Sequence, residues 1–246
     1  MTYAPPYALI LLGGVSLREG KRELDHVLVN AKAIGLLAYL ALSTVGRFVR
    51  RDTLVGLLWP ELTQARARTA LRKTVHLVRH AMSAEALISR GDEDIALSPS
   101  VVWCDAVAFA EAVDGGALAS ALQLYGGELL PGFHLAGCWE FDNWLEAARV
   151  DARERASAVA WALARRFETD HNLSDAAGMA RRSVRFSWND ERALRRAVTM
   201  LDRLGDRAGA LSLFEDFASR LRLELNAEPS PETFELITRV RSRVHI

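Results

Sequence analysis

The spacing of hydrophobic positions changes period along the chain, and each change marks an element. Tyr7 to Leu12, Val15 to Arg18 and Val27 to Val29 are short apolar runs separated by Gly13-Gly14 and by a polar turn at Arg18 to Lys21. They predict a small antiparallel sheet. Lys32 to Ser43 then places Ile34, Leu36, Leu37, Leu40 and Ala41 at the spacing of a buried helix, ended by Gly46. A second helix is expected over Arg51 to Trp59, stopped by Pro60, with Arg50 where a capping oxygen is usual. A third covers residues 63–83. Leu87 to Arg90 and Ile95 to Leu97 flank Gly91-Asp92-Glu93-Asp94 and predict a hairpin. Strands, three helices with a short turn before the last, and a closing hairpin follow the order of a winged helix-turn-helix.

The third helix has two unlike faces. Wound at roughly 100° per residue, Ala67, Leu71, Val75, Val78 and Met82 fall within about 40° of one line. Arg66, Thr69, Arg72, Lys73, His76 and His80 lie on the far side. From Leu62 to Ala84 there is no Asp or Glu, while Arg66, Arg68, Arg72, Lys73 and Arg79 all fall in that window. A helix with one packing face and one cationic face fits the major groove, where Arg and Lys donate to guanine O6/N7 and Thr meets a base edge or a thymine methyl. Thr69, Arg72, Lys73 and His76 are thus candidates for base contacts, and Arg66, Arg68, Arg79 and Arg90 for phosphates. A basic face that is only solvated surface is the plain alternative.

From Asp105 onward strand signals give way to helical periodicity with turns repeating at about 30 to 40 residues, as in an array of helical hairpins. Helices are expected near 105–113, 117–125, 139–168, 173–186, 190–203, 207–223 and 231–243. Asn189 is placed to cap the helix from Asp190, Gly205 to end it in left-handed conformation, Asp206 to cap the next, and Ser230-Pro231 to open the last. Ala208, Leu211, Phe214, Phe217 and Leu221 form an apolar stripe. Trp139, Trp144, Trp161 and Trp188 are expected as core fillers. The fold class is mostly α, divided at residues 1–103 and 104–246.

Charge sharpens this division. The whole chain is formally neutral, yet residues 1–103 hold 13 Lys and Arg against 9 Asp and Glu, and residues 104–246 hold 18 against 22. A basic front joined to an acidic back suggests nucleic acid at one end and protein contacts at the other. Cys104 and Cys138 are the only cysteines and form no CxxC, so neither a disulfide framework nor a metal cage is indicated, and a reducing cytoplasm is expected. The longest apolar run, Ala33 to Leu42, is too short to span a bilayer, which needs about 20 residues. No signal peptide is expected.

The run from Gly46 to Glu61, GRFVRRDTLVGLLWPE, followed by Ala67 to Val75, ARTALRKTV, resembles the winged helix at the front of bacterial transcriptional activator domain proteins, the SARP-type antibiotic regulators. The matching pattern is Leu57-Leu58-Trp59-Pro60, then Ala67-Arg68-Thr69-Ala70-Leu71-Arg72. Related winged helices are output domains of two-component response regulators. Tyr125 to Phe133, Trp144 to Arg149, and Leu204 to Thr233 resemble the activator domain itself, which is built of tetratricopeptide-like helical pairs. Asn226 stands where that family usually has glycine, and Asn tolerates the left-handed turn. The recognition helix departs from the family's arginine-rich ending, reading His76-Leu77-Val78-Arg79-His80, and the wing tip carries three acids. The resemblance implies a DNA-binding transcriptional regulator, an activator, whose helical half self-associates as a homodimer or contacts RNA polymerase or a sigma factor.

No GxxxxGK[ST], HExxH or GxSxG occurs, and His134 with Cys138 at i, i+4 would need further ligands to hold a metal. No catalytic residue, metal site, cofactor or membrane partner is assigned. Two rivals remain: a tetratricopeptide-like adaptor whose winged helix no longer binds double-stranded DNA, and an enzyme using Cys104 or Cys138.

Overall fold

The computed structural model describes residues 5–43 and 47–242, so the helix end expected at Gly46 and the lone His245 lie outside the described residues. By packing, the chain divides into two compact units, Met1–Gly116 with Gln123–Ala152, and Ala117–Leu122 with Arg153–Ile246.

The first unit opens with β1 (Tyr7–Ile10), β2 (Ser16–Glu19) and β3 (Arg22–Glu23), which pair antiparallel in sequence order, Tyr7 facing Glu19 and Ile10 facing Ser16. Helix α1 (Asp25–Leu28) follows, where a strand over Val27 to Val29 was expected. Residues two apart on a strand share a face, but Val27 is fully buried and Val29 is 85% exposed, so one face could not serve both. Helix α2 (Ala31–Leu42) is capped by Asn30, whose side chain accepts the Ala33 N–H. Strand β4 (Val49–Arg50) leads into α3 (Arg51–Leu58), which begins without a side-chain cap at Arg50, as expected.

Helix α4 (Gln64–Ala81) and a 3-10 turn at Ala84–Ala86 lead to the hairpin of β5 (Leu87–Arg90) and β6 (Asp94–Leu97). Strand β4 joins the hairpin in the order β4-β6-β5. Strand β7 (Val102–Cys104), missed in the sequence, adds parallel to β1 and completes a sheet ordered β3-β2-β1-β7. Leu36, Leu37 and Leu40 of α2, Leu54 and Leu58 of α3, and Leu71 of α4 are fully buried with Leu9, Leu17 and Leu87 of the strands.

Packing carries the first unit past residue 103. Helix α5 (Asp105–Asp114) starts with a buried carboxylate that accepts the N–H groups of Leu11, Leu12 and Ala106. Beyond α6 (Leu118–Leu124), the loop at 126–130 pairs with the end of β1: Gly13 donates to the Glu128 carbonyl at 2.8 Å and Leu130 to that of Leu11 at 2.7 Å. The early part of α7 (Trp139–Thr169) buries Phe141 and Leu145, and Tyr39 packs on Trp144 with ring centroids 4.8 Å apart.

The second unit packs the remainder of α7 with α8 (Leu173–Phe186), α9 (Glu191–Arg203), α10 (Arg207–Leu225) and α11 (Pro231–Ser242) around a core of Ala164, Val184, Leu194, Val198, Phe214, Phe217 and Val240. The fold is therefore mostly α, with an α+β front and a helical back. Asn226 is left-handed at φ 50°, and Gly205 is at φ 82°. Three local expectations are corrected. Asp190, not Asn189, caps α9, its carboxylate accepting from Arg192 and Ala193, because Asp190 is the residue in extended conformation. In α10 the stripe runs through Ala210 and Leu213 rather than Ala208, which is exposed. Of the four tryptophans, Trp139 departs from the core at 65% exposed, while Trp144 packs on Tyr39 and Phe141 and Trp161 packs, half-buried, against the second core; Trp161 and Trp188 lie under the guanidinium groups of Arg196 and Arg220. An indole keeps a charge-binding face that full burial would waste.

Candidate nucleic-acid interface

Helix α4 shows the two faces its spacing predicts. Ala67, Leu71, Val75, Val78 and Met82 are all buried, whereas Arg66, Arg68, Thr69, Arg72, Lys73, His76 and His80 are exposed. The helix is fixed at both ends. Trp59 and Leu62 form the turn from α3, with the Leu62 N–H on the Trp59 carbonyl at 3.1 Å. At the far end the Tyr7 hydroxyl donates to the carbonyl of Met82, so β1 holds the last turn. Burial, followed by the field of Glu19, raises the Tyr7 pKa and keeps it a donor.

The candidate side chains differ in how free they are. The Thr69 hydroxyl donates to the Ala65 carbonyl at 2.9 Å, which leaves its methyl and lone pairs for a ligand. Arg72 spends only Nε, weakly, on the Arg68 carbonyl at 3.4 Å. Arg66 and Lys73 have no hydrogen-bond or ion-pair partner among the described residues. His76 stands beside His80, ring centroids 6.2 Å apart. These residues present donors on one exposed surface with no carboxylate among them.

The other candidates are engaged. Arg68 makes a two-pronged bond to Asp52 of α3, Nε to Oδ1 at 3.0 Å and Nη2 to Oδ2 at 2.9 Å. This bond lowers the Asp52 pKa and links the two helices of the helix-turn-helix. Arg90 donates from Nε and Nη2 to Asp94 across the wing and stacks 4.6 Å over the Phe48 ring. One of the three wing acids is thereby neutralised. Arg79 is half-buried and holds the Leu87 carbonyl with Nε and Nη2, fastening α4 to β5, while Nη2 also reaches Ser89. Arg68 and Arg90 keep Nη1 for a phosphate while Nε and Nη2 stay on their carboxylates.

Sequence reasoning passed over Arg51, the first residue of α3, whose Nη2 donates to Ser89 Oγ at 2.9 Å. Its signal was the cluster Arg47, Arg50, Arg51 just ahead of the helix. Both cysteines are buried and free, and burial pushes the Cys104 thiol up to about 12, where it holds its proton. Among the described residues no group of three or more His, Cys, Asp or Glu is arranged to hold a metal, and no helix is long and apolar enough to cross a membrane.

The fold is thus of the class that joins a helix-turn-helix with a hairpin wing to an array of paired helices. The model of the bacterial transcriptional activator domain matches residues 105–241, more than half of the chain, and the chain belongs to that family. That family is one of transcriptional regulators rather than a class of enzymes. Comparison with curated proteins gives no match. Among solved structures the chain is similar to Mycobacterium tuberculosis EmbR in complex with a low-affinity phosphopeptide, at TM-score 0.64 and 18% identity. The likeness covers 97% of this chain and 65% of EmbR, and at that identity it shows a common fold.

Proposed function

We propose that the chain binds double-stranded DNA in a sequence-specific manner and activates transcription. In this reading α4 enters the major groove, Thr69, Arg72, Lys73 and His76 meet base edges, and Arg66 and Arg79 meet phosphates. Arg68 and Arg90 serve there through Nη1 while still bonded to Asp52 and Asp94. Residues 1–103 supply the DNA-binding part. Residues 104–246 supply self-association as a homodimer or contacts with RNA polymerase or a sigma factor, and the site of action is the cytoplasm. The observation that carries the proposal is the exposed surface of α4, where Arg66, Arg72 and Lys73 gather without a carboxylate partner. Groove binding supplies the acceptors that such a surface lacks.

The second reading, a protein-binding adaptor that has lost DNA, is favoured by the engagement of Arg68 and Arg90 with acids. A mobility-shift titration against the upstream region of the protein's own gene at two salt concentrations separates them. A DNA-binding regulator shows a shift whose affinity falls with salt, with a slope of about −0.9 for each phosphate neutralised. An adaptor shows no salt-dependent shift.

A further inference from the structure

We infer that Arg51, Arg79 and Ser89 form a site for one phosphate group of the DNA backbone at the root of the wing, with Arg51 as its principal ligand. This rests on the DNA-binding reading above and adds a residue and a place to it. The Nη2 atoms of Arg51 and Arg79 both donate to Ser89 Oγ, each at 2.9 Å, so two cations converge on one neutral hydroxyl. The Nε of Arg51 is buried and has no hydrogen-bond partner. The nearby arginines behave otherwise, since Arg68 and Arg90 each close on a carboxylate.

Two guanidinium groups drawn together without an anion repel each other, and a tetrahedral oxyanion satisfies both. Burial first, then the fields of Arg79 and Arg72, lowers the Arg51 pKa, against an opposing pull from Asp92. The source of the phosphate follows from placement. Arg79 lies seven residues after Arg72, about 20° round the helix axis and two turns along it. Arg72 and Arg79 therefore share one side of α4, and both lie near enough to Arg51 to act on its charge, so a duplex backbone beside Arg72 is within reach of this pair. Arg51 needs no backbone change to serve, because its main-chain N–H is held by the Glu93 carbonyl at 2.7 Å.

The test measures binding of the full chain to a selected duplex and to random duplexes by fluorescence anisotropy over a salt series. The arms are wild type, Arg51→Gln, Arg51→Lys and Arg72→Ala, with duplexes carrying single methylphosphonate substitutions. Arg51→Gln should weaken binding to every duplex alike, by roughly ten-fold, and flatten the salt slope by about 0.9. Arg51→Lys should keep the slope. One neutralised phosphate should weaken wild type and leave Arg51→Gln unchanged. If Arg51→Gln and Arg51→Lys both bind as wild type does while Arg72→Ala loses sequence preference, the phosphate site is wrong and the DNA-binding reading stands. If wild type itself shows no salt-dependent binding, both fall. A phosphoserine peptide bound at Arg51 in place of DNA would likewise overturn the assignment.

Discussion

The carboxylate of Asp105, 4% exposed, takes three backbone N–H groups, from Leu11, Leu12 and Ala106, at 2.7 to 3.0 Å. Asp105→Ala strands all three, and a chemical denaturation series should show a loss of about 2–4 kcal/mol. Glu191 does similar work in the second unit, accepting from the N–H and hydroxyl of Ser230 and the hydroxyl of Thr233, with Arg195 at 3.6 Å. The two titrate in opposite senses. Burial outweighs the hydrogen bonds at Asp105 and raises its pKa, so the proton-linked part of its contribution is full below pH about 3.9 and is lost as pH rises through the folded value, while the three N–H bonds remain with the ionised carboxylate. At Glu191 burial also raises, but the hydroxyl, N–H and Arg195 contacts together win and lower the pKa. Its contribution is present above pH about 4.3 and is lost as pH falls through the folded value. The stability deficit of Glu191→Gln, measured against wild type by denaturant unfolding from pH 6 to pH 3, should therefore shrink toward the acid end. A constant deficit would mean that the carboxylate's charge plays no part. For the thiols, burial predicts that an alkylating reagent labels neither Cys104 nor Cys138 in the native chain and labels both in denaturant.

Among the elements, the close approach of the 126–130 loop to the end of β1 depends on glycine. A Cβ at Gly126 would sit 2.9 Å from the Leu12 carbonyl oxygen, and Leu12 cannot retreat because Asp105 holds its N–H. Gly126→Ala should lower stability by about 1–3 kcal/mol, while Gly14→Ala, with nothing within 4 Å, should stay within about 0.5 kcal/mol, both read from thermal melts. The long helices were legible in the sequence because a 3.6-residue period repeats many times across 18 residues of α4 or 31 of α7. Strands β3, β4 and β7 were not, since two or three residues carry no period, and β7 is defined by its parallel partner β1, far away in sequence. The helix at Asp25–Leu28 was read as strand because two valines two apart suit either until their burial is known. The exposed set Thr69, Arg72, Lys73 and His76 followed from helical geometry alone. The carboxylate partners of Arg68 and Arg90, and the role of Arg51, depend on the pairing of α3, α4 and the wing, which no local pattern encodes.

Over the whole molecule, the net basic residues 1–103 and net acidic residues 104–246 match the two tasks proposed for them. The front offers the arginines and lysine of α4 and the wing root, and the back is the helical domain by which the chain belongs to its family. The central claim is that the exposed side of α4 reads bases, and Arg72 tests it most directly because its terminal nitrogens are free and it lies midway along the helix. Sequences bound from a randomised duplex pool by wild type and by Arg72→Ala should be compared, with affinities measured for the preferred site and its single-base variants. The account predicts that Arg72→Ala folds, still binds duplex DNA in a salt-dependent way, and loses about 1–3 kcal/mol of preference at one base pair. An unchanged preference at every base pair, with wild-type affinity, would contradict it.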